Sequence, residues 1–168
     1  MKTIVAMTLA LLGTTQEVDN PQFKYWSGCK PGSWVKMKME MEFSGKKSES
    51  ETMHKLLEIK DGIAVIEITG KTKVAGQEHA MPAQKQEIKA KESADKIKID
   101  KEGEEEIEVA GKKLKCHWYE FTSKNVEKES KSKAWLSMDI PGGMAKASMG
   151  LPSSDKPIVM TAIEWEKK

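Results

Sequence analysis

The side chains of this chain best able to do chemistry are three histidines, two cysteines and eleven methionines. His54, His79 and His117 lie far apart, and none of the spacings with which ligands converge on one metal is present. HExxH, paired CxxC, GxSxG, a P-loop and GxGxxG are all missing, which removes the usual signatures of zinc hydrolases, serine esterases and nucleotide enzymes. Cys116 and His117 are adjacent, but neighbours in a strand point to opposite faces, so thiol and imidazole cannot pair directly there. They read as a core-facing cysteine beside an exposed histidine. Asp100, Glu102 and Glu104 to Glu106 form an acidic run that lacks EF-hand ligand spacing and reads as solvated turn surface. The chain is therefore expected to be non-enzymatic, with no catalytic residue and no cofactor.

The methionines are the more informative group. Met37, Met39 and Met41 fall at every second position, so a strand would stack them on one face. Thioethers are soft ligands, and such a stripe near His54 or His79 is one way to hold Cu(I). The competing explanation is that methionine is flexible and fills irregular cores or lines apolar pockets, and the same face continues with Val35 and Phe43, which ligate nothing. Packing or pocket lining is the preferred reading. Five tryptophans, Trp26, Trp34, Trp118, Trp135 and Trp165, supply most of the large apolar surface and act as packing anchors.

The elements that must position these side chains are strands. Val35 to Phe43 alternates apolar residues with Lys36, Lys38, Glu40 and Glu42, the pattern of a half-buried strand. A second strand, Thr52 to Lys60, meets a third, Ile63 to Thr69, through Asp61-Gly62, which predicts a two-residue hairpin with Leu57 opposite Ile66 and Ile59 opposite Ala64. Ala75-Gly76-Gln77 and Met81-Pro82-Ala83 read as loop. A further hairpin turning at Gly111-Lys112 sets Val109 against Leu114, Ile107 against Cys116 and Glu108 against Lys115. Glu127 to Lys133 reads as a charged loop, followed by strands at Ala134 to Ile140, Met144 to Met149 and Ile158 to Trp165. No segment after the leader shows helical periodicity. The expected fold class is all-β and mainly antiparallel: a single strongly curved sheet, a half-barrel or barrel.

Met1 to Gly13 carries one lysine and then a short apolar run, the form of a secretory leader and too short to span a bilayer. Residues 1–16 are thus expected to be a signal peptide and 17–168 a single antiparallel β domain, exported to the periplasm or the extracellular space and not membrane-spanning after cleavage. Twenty-eight basic and 26 acidic residues leave a net charge of +2, and every basic residue is lysine. Without arginine there is no bidentate grip on phosphate or guanine, which argues against nucleic-acid recognition. Cys29 and Cys116, the only cysteines, form an even pair in an oxidising compartment and predict a disulfide. The alternative is a buried Cys116 and a free surface thiol at Cys29.

Gly32-Ser33-Trp34-Val35, Met81-Pro82-Ala83, Gly103-Glu104-Glu105-Glu106, the stretch from Val109 to Cys116, and Trp135 leading to Asp139-Ile140-Pro141-Gly142-Gly143 resemble small exported proteins of unknown function of the planctomycete type. That resemblance implies export and no assigned activity. A looser likeness, at the level of fold, is to the periplasmic lipoprotein carriers whose half-barrels hold acyl chains. The leading functional expectation is a lipid-like apolar or amphipathic ligand bound on a concave face by Met37, Met39, Met41, Leu57 and Ile66. The alternatives are a structural or interaction module of the cell envelope with a closed core and a protein partner, and, third, a Met-rich copper-binding protein.

Overall fold

The computed structural model describes residues 17–43, 46–93, 99–124, 129–151 and 154–168. The expected leader, residues 1–16, lies outside them. The described chain begins with a short strand β1 (Glu17–Asp19) and one helix α1 (Pro21–Ser27), followed by β2 (Trp34–Phe43), β3 (Lys46–Lys60), β4 (Ile63–Val74), β5 (Gln77–Lys89) and β6 (Lys91–Ser93). Then come β7 (Ile99–Val109), β8 (Lys112–Lys124), β9 (Glu129–Leu136), β10 (Met144–Leu151) and β11 (Ser154–Glu166). Nine of these form one antiparallel sheet in the order β5-β4-β3-β2-β11-β10-β9-β8-β7, and β1 pairs with β6 beside it. β5 and β7 do not pair with each other, so the sheet stays open, compatible with the expected half-barrel.

Three two-residue turns drive the hairpins. Asp61-Gly62, Ala75-Gly76 and Ala110-Gly111 all hold both central residues at positive φ, between 49° and 87°. This is the turn whose twist matches paired strands, and glycine takes its second position each time. The expected turn at Gly111-Lys112 is therefore displaced by one residue. Val109 pairs with Lys112, Ile107 with Leu114 and Glu108 with Lys113. The displacement moves each pairing by two residues, so every side chain keeps its face.

Other expectations are corrected by local irregularities. At the first hairpin Ile59 does face Ala64, but Leu56 rather than Leu57 faces Ile66, because Leu57 is the extra residue of a β-bulge between Leu56 and Glu58. Met81-Pro82-Ala83 is strand, inside β5. An edge strand tolerates a proline that cannot donate, and the register shifts there between Ile68 and Gly70 of β4. Residues 129–133 belong to β9, where Ser130 and Ser132 are buried while Lys131 is exposed. Serine is small enough for an inward position, which hydrophobicity alone does not reveal. That strand ends at Leu136, not at Ile140.

The helix is the element without a periodic signal, since seven residues make barely two turns. Asn20 caps it, its side chain accepting from the Gln22 N–H at 2.9 Å, and Pro21 opens it. It buries Trp26, 2% exposed, in a core with Val35, Met37, Leu56, Ala64, Ile66, Ile88 and Ile140. The indole lies against Gly142, where an added Cβ would fall 2.7 Å from the ring, and Gly142 itself stands at φ +74°. Pro141-Gly142-Gly143 is thus the seat on which the helix closes.

Candidate functional site

The methionine stripe is divided by the helix. Met37 (3% exposed) and Ile66 (1%) lie in the packed core that includes Trp26. Met39 and Met41, farther along β2, are half-buried, as is the bulge residue Leu57. Of the five residues expected to line a binding face, Met39 and Met41 therefore stand beyond the closed core.

The register extends that pair across the sheet. Met39 lies opposite Met160 of β11, which lies opposite Ala147 of β10, which lies opposite Ala134 of β9. In the other direction Met39 faces Ser50 of β3, and Ser50 faces Thr72 of β4, their hydroxyls 3.1 Å apart. Two residues along β10, Met149 faces Ile158 on one side and Ser132 on the other. The result is a band on one face of the sheet, with half-buried Met39, Met149, Ile158 and Met160 at its centre and hydroxyl margins at Ser50, Thr72 and Ser132. At this end of β2 and β3 a cleft of about 230 Å³ opens, lined mostly from the opposite face of the sheet by Glu40, Glu42, Lys47, Glu49 and Val159. Lys156 and Glu42 pair at 2.7 Å, which holds the Glu42 carboxyl below its usual pKa. Met149 and Met160 escape a reading that follows one strand at a time. Their signal was the alternation Ala145, Ala147, Met149 and Ile158, Met160, Ala162, which becomes a site only when the two strands are laid beside β2.

His54 sits across from Val35, its Nε2 3.1 Å from Thr52 Oγ1, and burial lowers its pKa. His79 is exposed on β5. Among the described residues no three His, Cys, Asp or Glu side chains gather as a metal site.

The cysteines are not bonded to each other. Both are free and buried, which corrects the expected disulfide. The Cys29 thiol follows α1 and donates to the Tyr25 carbonyl oxygen at 3.4 Å, tied to its own helical turn. Cys116 lies on β8 opposite Glu105. Burial, with Glu105 and Asp139 adding to it, pushes the Cys116 thiol up to about 11, so at neutral pH it is protonated and a poor nucleophile. His117 leans instead on Glu102, at 3.3 Å, and on the Tyr119 ring. A cleft of about 510 Å³ passes both Cys116 and His117, walled by Glu104, Glu106, Asp139 and Tyr25. Burial raises the Tyr25 pKa as well.

No protein-family model matches the chain, and no curated protein matches it. Among solved structures it is similar to a "putative exported protein with YmcC-like fold" from Bacteroides fragilis, at 7% identity and a TM-score of 0.50, covering 83% of this chain and 97% of that one. At that identity the likeness shows the fold alone. It agrees with the half-barrel likeness drawn from the sequence, while no match supports the resemblance to planctomycete proteins.

Proposed function

We propose that this is an exported, non-enzymatic protein that holds a lipid-like, amphipathic ligand in the open half of its curved sheet. The observation that carries the reading is the apolar band itself: half-buried methionines of three adjacent strands, of which Met160 also packs against the core, between margins of serine and threonine. Methionine adapts its shape to an irregular apolar chain, and the hydroxyl margins suit the polar end. The leader-like first residues, and a structural neighbour described as a "putative exported protein", support export.

Binding of a dansyl-labelled undecanoic acid tests it. The double variant Met39→Gln/Met160→Gln is expected to weaken that binding at least tenfold with little change in stability. Met37→Ala is expected to do the reverse, costing about 2–5 kcal/mol of stability as a buried truncation. Absence of micromolar binding by the unaltered protein would end the lipid reading.

A second reading, an interaction module of the cell envelope, is favoured by a different observation. Helix α1 packs Trp26 and Phe23 onto the core of the sheet, and among the described residues the sheet ends on two unjoined edge strands.

A further inference from the structure

The two edges of the sheet are not alike. β5 is interrupted at Pro82 and by a register shift opposite it, and just beyond its end the Ala90 carbonyl accepts from the Asn20 N–H at 2.8 Å. β7 carries no proline and keeps an unbroken register with β8 from Lys101 to Val109. Among the described residues no backbone hydrogen bond is made to its outer side. Such an unpaired edge is a template for another strand, and proteins commonly blunt it with charge.

The charge on β7 is patterned. Glu102, Glu104, Glu106 and Glu108 share one face of the strand, all exposed, at the roughly 6.7 Å spacing of alternate strand residues. On the inner side they face Tyr119, His117, Lys115 and Lys113 of β8, and two of them are met from that flank, Glu102 by His117 and Glu106 by Lys113, each at 3.3 Å. Glu105, on the other face, is taken up by Lys133 at 3.2 Å and by the Trp135 indole N–H. Two β7 edges brought together would set carboxylate against carboxylate, which opposes self-pairing.

We propose that β7 is a docking edge for a basic extended segment of another protein, added beside it as a further strand. Its side chains would alternate lysine or arginine, facing the four glutamates, with apolar residues on the face shared with Ile107. Main-chain hydrogen bonds would supply affinity and the alternation specificity. The inference is independent of the apolar band.

A fluorescein-labelled peptide of alternating lysine and valine, nine residues long, is the probe, read by anisotropy. Three results are expected: binding, slowed amide exchange in β7, and at least tenfold weaker binding by the Glu104→Lys/Glu108→Lys variant with an unchanged circular dichroism spectrum. The same peptide N-methylated at every residue, which leaves no backbone N–H to pair with β7, should lose binding. Equal binding by an N-methylated peptide would show charge attraction without strand pairing and overturn the proposal. So would binding that survives the charge reversal, or exchange in β7 that the peptide leaves unchanged. Protection of β7 through dimerisation of the protein alone would overturn it as well.

Discussion

His54 shows how little the type of a residue says before its surroundings are known. As one of three histidines near a methionine stripe it is a candidate soft-metal ligand, yet it lies across from Val35 with its ring against the Thr52 hydroxyl. Burial lowers its pKa, so the folded protein binds this proton less readily than the unfolded chain, whose histidine titrates near 6.5. The contribution is therefore complete above about pH 6.5 and is lost as pH falls below it, because the unfolded state takes up the proton first. Urea unfolding between pH 8 and 5 should show stability falling over the acid half of that range. His54→Gln should flatten the fall, and parallel curves for the two proteins would remove His54 as its cause. The opposite placement of Cys116 and His117 follows from strand geometry alone, and it was readable from their adjacency. The state of the cysteines was not, because pairing depends on where two distant segments meet in space.

At the scale of elements, Leu56 and Leu57 are interchangeable by composition and separated by one irregularity. The bulge hands the core position to Leu56, fully buried, and leaves Leu57 half-buried. Leu56→Ala is expected to cost about 2–5 kcal/mol and Leu57→Ala much less, as measured by denaturant midpoints. Equal costs would mean that the bulge does not choose between them. The strands with strict alternation, such as Val35 to Met41, and the Asp61-Gly62 hairpin were legible because period two and turn chemistry are local. Bulges, the serine-lined β9 and the Gly111 turn were missed by a residue or a face, since each is decided by the partner strand. The helix was missed for a different reason. It is too short for periodicity, and its only signals were an N-cap asparagine followed by proline, while its role comes from Trp26 meeting Gly142 and Tyr25 meeting Gly143, far along the chain.

For the whole molecule, the decisive joint is the pairing of β2 with β11, which sets the first and last long strands side by side at the middle of the sheet. Each is the root of a meander: β3 to β5 on one side and β10 back to β7 on the other. Neither arm has a closed core by itself, because the cluster including Trp26 draws Leu56, Ala64 and Ile66 from one arm and Val109, Leu114 and Ala145 from the other. Ala162 stands at this joint, fully buried and opposite Met37. Ala162→Asp would bury a carboxylate between the arms and is expected to destabilise the protein by several kcal/mol, unfolding both together. The same change at Met81, 37% exposed on edge strand β5, should stay within about 0.5 kcal/mol. Urea titrations followed residue by residue in heteronuclear NMR spectra would compare them. A β3–β5 arm whose resonances persist after the rest of the Ala162→Asp protein has unfolded would show that the arms fold independently and that the central pairing is not what unites them.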